Sequence, residues 1–185
     1  MIGVEDLRKG VTFRHEGHLW RVLEYSHNKQ GRGNATIKIK ARNLRTGATL
    51  ERSFQSGGRV EDIHLDHHNM TYLYHDGDFY HFMDVDSYEQ RPLTGEILGD
   101  AVNYLKEGLE IKVSIYDNDP VDVELPSGVD MKVTESAPGV KGDTATGATK
   151  PATLESGYIV QVPLFVQAGD TIRVDTRTGD YVTRV

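Results

Sequence analysis

Alternation of apolar and polar residues is cleanest over 35–42. There Ile37, Ile39 and Ala41 fall on one face, and Lys38, Lys40 and Arg42 on the other, as in a half-buried strand. Upstream, 11–15 reads as a strand ending in the turn Glu16-Gly17, and 18–25 reads as its partner. The second run alternates imperfectly: Trp20 and Val22 share a face, while Leu19, Leu23 and Tyr25 do not. Between the last two strands lies 28–34. Glycines flank Arg32 there, permit a tight reversal, and set one long cationic side chain at the tip of a hairpin. A further turn over 43–47 leads into a strand over 49–54, completing a small barrel.

The middle of the chain opens with a hairpin, 70–74 and 79–83, joined through Asp76-Gly77. Asp100 is expected to cap a short helix over 101–106 that ends at Gly108. Strands resume over 109–116 and 121–125, and Pro126-Ser127-Gly128 marks a boundary. Beyond it the pattern gives strands over 129–133, 158–162, 171–175 and 180–184, with a loop from Ala137 to Thr153. Short strands at this density suit a small Greek-key barrel of the OB type. The fold expected is therefore all-β, built of small barrels.

Composition narrows the picture. With 19 glycines, 6 prolines and no cysteine in 185 residues, turns are abundant, and disulfides, thiolate metal sites and cysteine nucleophiles are excluded. No apolar run reaches the ~20 residues of a membrane helix. Met1–Asp6 lacks the basic and apolar regions of a signal peptide, so a cytoplasmic protein with no membrane partner is expected. The net charge of −7 hides a swing along the chain. Residues 1–63 hold 12 Lys/Arg and 7 Asp/Glu (net +5), 64–127 hold 3 and 14 (−11), and 128–185 hold 6 and 7 (−1). Three domains with those boundaries are expected, each with different partners. The stretch from Tyr25 to Leu50 carries Lys29, Arg32, Lys38, Lys40, Arg42 and Arg45 with no acid. It is either a solvated hairpin face or an arm that contacts phosphates. The acidic middle unit would repel nucleic acid.

A search for catalytic patterns fails. Gly142 to Gly147 has the glycine spacing of a phosphate loop, but Ala148-Thr149 stands where Lys and Ser/Thr are needed. His64, Asp66, His67 and His68 have no zincin spacing, and a polar surface explains them better than a metal. Ser56-Gly57-Gly58 lacks the pattern of a nucleophile elbow. No catalytic residue, metal or cofactor is expected.

Several separated segments resemble the bacterial elongation factor P family, and the resemblance covers essentially the whole chain. The most specific is 150–157, Lys-Pro-Ala-Thr-Leu-Glu-Ser-Gly, continuing through 160–166. Residues 175–182, Asp-Thr-Arg-Thr-Gly-Asp-Tyr-Val, are similar to the family's ending, and Tyr72–Tyr74, Asp76-Gly77, Phe82-Met83 and Tyr88–Gln90 are similar to its middle domain.

The resemblance implies a KOW/SH3-like barrel followed by two OB barrels, arranged in an L like tRNA. It implies a monomer that binds both ribosomal subunits between the peptidyl and exit sites. Beside peptidyl-tRNA, it would promote peptide-bond formation and relieve stalling at consecutive prolines, with no active site of its own. The loop at Lys29, Gly31, Arg32, Gly33 and Asn34 then faces the CCA end of peptidyl-tRNA, with Arg32 at its tip and Lys38, Lys40 and Arg42 along tRNA or rRNA backbone. Many members carry a modified lysine at the tip. A branch carries arginine, rhamnosylated in some members, so Arg32 is the residue an arginine-modifying enzyme would meet. The context Gln30–Asn34 differs from the Ser-Gly-Arg-Asn of rhamnosylated members and favours an unmodified Arg32. In the third domain Gly142, Asp143, Thr144, Gly147 and Lys150 correspond to the loop that approaches the small subunit and exit-site codon. The alternative reading is a general RNA-binding or ribosome-assembly OB/KOW protein.

Overall fold

The computed structural model describes residues 1–29, 31–138 and 148–185, and in it strands are the dominant element. Six strands make the first sheet: β1 (Ile2–Gly3), β2 (Thr12–His15), β3 (His18–Asn28), β4 (Thr36–Asn43), β5 (Thr49–Gln55) and β6 (Arg59–Asp62). Their order is β1-β6-β2-β3-β4-β5. Five more follow: β7 (Asp66–Asp76), β8 (Phe79–Asp84), β9 (Gln90–Thr94), β10 (Glu110–Tyr116) and β11 (Asp119–Glu124), in the order β11-β10-β7-β8-β9. The last sheet, ordered β14-β13-β12-β15-β16, comprises β12 (Gly128–Ser136), β13 (Thr149–Leu154), β14 (Ile159–Pro163), β15 (Thr171–Asp175) and β16 (Tyr181–Arg184). Among the described residues no helix is long and apolar enough to cross a membrane.

By contacts the chain divides into two compact units, Met1–His67 with Ser114–Asp122, and His68–Val113 with Val123–Val185. Within the first unit the broken alternation of β3 has a physical cause. Trp20 and Val22 pack with Val4, Leu7, Phe13, Ile37, Ile39 and Val60, while Leu19 joins a second cluster of Leu44, Ile63 and Val121, with Leu65 and Tyr116 against it. The strand is covered on both faces at this end, so neighbouring residues are both buried. A bulge between Val22 and Glu24 then shifts its phase against β4. Downstream, Tyr25 faces the side of Ile39, and Glu24 and Ser26 face solvent. Residues 114–122 belong here because Asp122 pairs with Arg21, and Tyr116 accepts a 2.8 Å hydrogen bond from Arg14.

In the second unit, Phe82, Leu93, Val113, Met131, Ile172 and Val174 are fully buried. Burying each such side chain stabilises by about 1.5–3 kcal/mol. Two local expectations are corrected here. Asp100 caps nothing: it lies inside a 3₁₀ helix, Gly99–Tyr104, whose N-cap is Leu98. The capped helix is Gly95–Leu98, where the Thr94 hydroxyl accepts a 3.4 Å hydrogen bond from the Ile97 amide. The expected loop from Ala137 to Thr153 is also shortened, because β13 begins at Thr149. Its residues alternate, with Lys150, Ala152 and Leu154 buried and paired across from Val162, Val160 and the turn at Tyr158. Pro151 disguises this strand in the sequence.

Candidate nucleic-acid interface

The longest pairing in the first sheet is between β3 and β4, which register from Trp20↔Asn43 to Asn28↔Thr36. At its open end Lys29, Gly31, Arg32, Gly33 and Asn34 are all exposed. Gly31 takes φ +56°, and a Cβ there would meet nothing within 4 Å. The glycine serves backbone conformation rather than a close approach of neighbouring atoms.

What holds this loop lies far away in sequence. The Ser56 amide donates to the Ala35 carbonyl, at the foot of the loop, at 2.9 Å. Ser56 and Gly57 are in turn gripped by Glu5, whose Oε1 accepts from the Ser56 hydroxyl at 2.7 Å and from the Gly57 amide at 2.6 Å. These bonds, the hydroxyl first, hold the Glu5 carboxyl below its ordinary value against a smaller desolvation cost. A folded-state pKa below the unfolded value gives stability that is present above the unfolded pKa and lost as pH falls through the folded one. Protection of the Gly57 amide from hydrogen exchange is therefore expected to fall on acidification below the ordinary glutamate range. In Glu5→Gln, which cannot ionise, that acid dependence is expected to vanish. An identical acid profile in both proteins would rule out the clamp.

The cations from Arg14 to Arg52 sort into two groups. Arg14 lies 3.7 Å from Glu61, Arg21 pairs with Asp122, Arg45 lies 3.9 Å from Asp119, and Arg52 lies 3.2 Å from Glu16 and over the Trp20 ring. Lys40 lies 3.9 Å from Glu24. Among the described residues Lys29, Arg32, Lys38 and Arg42 have no carboxylate within 4 Å. Lys29, Arg32, Lys38 and Arg42 are exposed, whereas Lys40 is half-buried.

Of the third-domain candidates, Gly142, Asp143, Thr144 and Gly147 lie outside the described residues. Lys150 is only 6% exposed, and its Nζ donates to the Ala137 carbonyl at 2.6 Å. Its ammonium is spent inside the barrel, tying β13 to the end of β12. The segment that follows is equally structural. Glu155 accepts a 3.0 Å bond from the Lys132 amide, and the Ser156 hydroxyl donates to the Asn103 carbonyl. The histidines are dispersed among separate partners: His64 beside Asp62, His67 on Ser114, His68 on Asp84. Among the described residues no three His, Cys, Asp or Glu side chains form a group that could hold a metal ion.

Sequence reasoning missed the Glu5–Ser56 clamp, which joins residues 51 apart in the chain, and which no local pattern announces. It also missed the placement of Lys40 beside Glu24, which follows only from the pairing register of β3 with β4.

Comparison with known proteins extends over the whole chain. The model of the elongation factor P KOW-like domain matches residues 4–60, that of the elongation factor P OB domain matches 65–123, and that of the elongation factor P C-terminal domain matches 129–184. Elongation factor P of Carboxydothermus hydrogenoformans is 47% identical over 185 residues, covering 100% of both chains. Elongation factor P of Moorella thermoacetica is 47% identical over 184 residues, again covering 100% of each. Among solved structures, eukaryotic translation initiation factor 5A from Methanococcus jannaschii shares the fold at a TM-score of 0.54 and 20% identity, over 68% of this chain and 90% of its own.

Proposed function

The chain belongs to the elongation factor P family of translation elongation factors, and from that premise we propose that it binds the ribosome between the peptidyl and exit sites and steadies peptidyl-tRNA for peptide-bond formation. Its domains on this reading are 1–63, 64–127 and 128–185. It works as a cytoplasmic monomer, with both ribosomal subunits and peptidyl-tRNA as partners. An arginine-modifying enzyme is a further partner only where Arg32 carries a modification.

The observation that carries the reading is the hairpin tip. An uncompensated, exposed guanidinium stands on a loop whose foot is clamped to the barrel. A nascent chain ending in proline has a constrained ring and a secondary amine, and is hard to bring into line for attack. Holding the tRNA end in an attack-ready geometry lowers that entropic barrier without any chemistry by the factor. Arginine suits this role because it stays charged and offers a planar fork to phosphate or ribose. Lys38 and Arg42 face the RNA backbone from the same sheet, whereas Lys40 is engaged by Glu24. The acidic middle domain disfavours stray RNA, so tight binding needs the combined surfaces of a ribosome that holds peptidyl-tRNA.

The test is a reconstituted translation system. The protein is expected to stimulate synthesis of a reporter with a proline run and to leave a proline-free control almost unchanged. A general RNA-binding protein would bind free tRNA as tightly as such ribosomes and would not separate the two reporters.

A further inference from the structure

The register of β3, β4 and β5 arranges their solvent face in cross-strand rows. Nearest the loop is Asn28–Thr36–Gln55, then Ser26–Lys38–Ser53, then Glu24–Lys40–Glu51, then Arg21–Arg42–Thr49. The middle two rows border a concavity of about 250 Å³. They hold the same cation in opposite surroundings. Lys40 is flanked on both strands by carboxylates, and its row carries a net negative charge. Lys38 is flanked on both strands by serine hydroxyls, within the ~5 Å spacing of directly opposed strand residues. Among the described residues Lys38 has no carboxylate within 4 Å. Nor do the hydroxyls of Ser26 and Ser53 make a hydrogen bond within the described chain, while those of Ser56 and Ser156 do.

We infer that Ser26, Lys38 and Ser53 form a seat for one phosphodiester of an RNA backbone, and that Lys40 is not a phosphate contact. A phosphodiester brings one negative charge and two non-bridging oxygens. One ammonium and two hydroxyl donors match it in charge and in hydrogen bonds. The Glu24 and Glu51 carboxylates beside the seat repel a second phosphate on that side. The strand of RNA therefore leaves the seat across the uncharged row Asn28–Thr36–Gln55, toward the loop that carries Arg32. The seat thus gives the bound RNA a direction as well as a hold. This inference rests on the ribosomal reading above and narrows it to named atoms.

The experiment measures affinity for ribosomes carrying peptidyl-tRNA across a salt series. Thermal unfolding confirms that each variant is folded. Ser26→Ala with Ser53→Ala is expected to weaken binding about tenfold while leaving the slope of affinity against salt unchanged, because two neutral donors are lost and no charge. Lys38→Ala is expected to weaken it by a similar factor and to reduce the slope by about one, the signature of one phosphate contact. Lys40→Gln with Glu24→Gln, which leaves the net charge unaltered, is expected to change neither. A serine pair that binds like the parent protein, or a Lys40 pair that lowers the slope, would overturn the seat while leaving the ribosomal reading standing. Failure of the parent protein to bind such ribosomes at any salt would overturn both.

Discussion

Arg32→Ala is expected to abolish most of the rescue of proline runs, tenfold or more in rate, while leaving folding intact. The side chain is exposed at the hairpin tip, so its removal disturbs no packing. Loss of a charge-assisted contact that acts only in the attack-ready geometry costs about 1.5–3 kcal/mol, roughly ten- to a hundredfold in rate. The defect is expected to persist at saturating factor, because positioning changes the rate and not the concentration required. Arg32→Lys keeps the charge, loses the planar fork, and is expected to retain part of the activity. If added protein restores Arg32→Ala to the parent rate, the guanidinium is one more phosphate contact and the positioning mechanism is wrong.

Much of this loop is legible in the sequence, because its determinants are local. Glycines beside Arg32, acid-free flanks and the alternation of Ile37, Ile39 and Ala41 are all contiguous signals, and β4 buries those three residues as the alternation requires. What is illegible depends on pairing across the sheet. Lys38 and Lys40 look equivalent along the chain and become unlike only when Ser26 and Ser53 register with one, Glu24 and Glu51 with the other. Short strands such as Ile2–Gly3 and Arg59–Asp62 carry too few residues to show a period, and they form because they pair with each other. Lys150 reads as a loop cation in the sequence, since lysine is rarely buried. Its ammonium reaches a carbonyl just past the end of the neighbouring strand, which only the folded chain places there.

Gly179→Ala is expected to be the most damaging single-methyl change in the second unit. The glycine ends the turn after β15, with φ +78°, a conformation that L side chains rarely adopt. The Asp175 carboxylate organises that turn by accepting the amides of Arg177 and Thr178, which holds it below the ordinary aspartate range. A Cβ on Gly179 would sit 2.5 Å from the Tyr158 hydroxyl and 3.2 Å from that of Tyr104. Those rings meet edge to face at 5.5 Å, and burial, with Tyr158 nearby, pushes the Tyr104 hydroxyl up to about 12. Backbone strain and the displaced ring together are expected to cost about 2–4 kcal/mol. Urea unfolding measures this as a lowered midpoint, with exposed Thr183→Ala as a near-neutral control. A midpoint like that of the control would show that the turn yields freely. The residues 175–182 that resemble the family's ending therefore serve architecture: they fit the turn after β15 against Tyr104 of the 3₁₀ helix.

The bulge in β3 has a bearing on how such a hairpin can be re-aimed. Leu23 is the supernumerary residue: Val22 pairs with Ala41 and Glu24 with Lys40, so Leu23 alone has no opposite number. Every cross-strand row from Glu24 to Asn28 keeps its partner whether or not Leu23 is present. A bulged strand bends and twists more than a regular one. The pointing direction of Arg32 is therefore governed by a residue more than eight positions away, outside the loop itself. Substitutions at the tip change what is presented, whereas a single-codon deletion at 23 would change where it is presented. Chemistry and aim are thus encoded in separate, independently mutable places along the same hairpin.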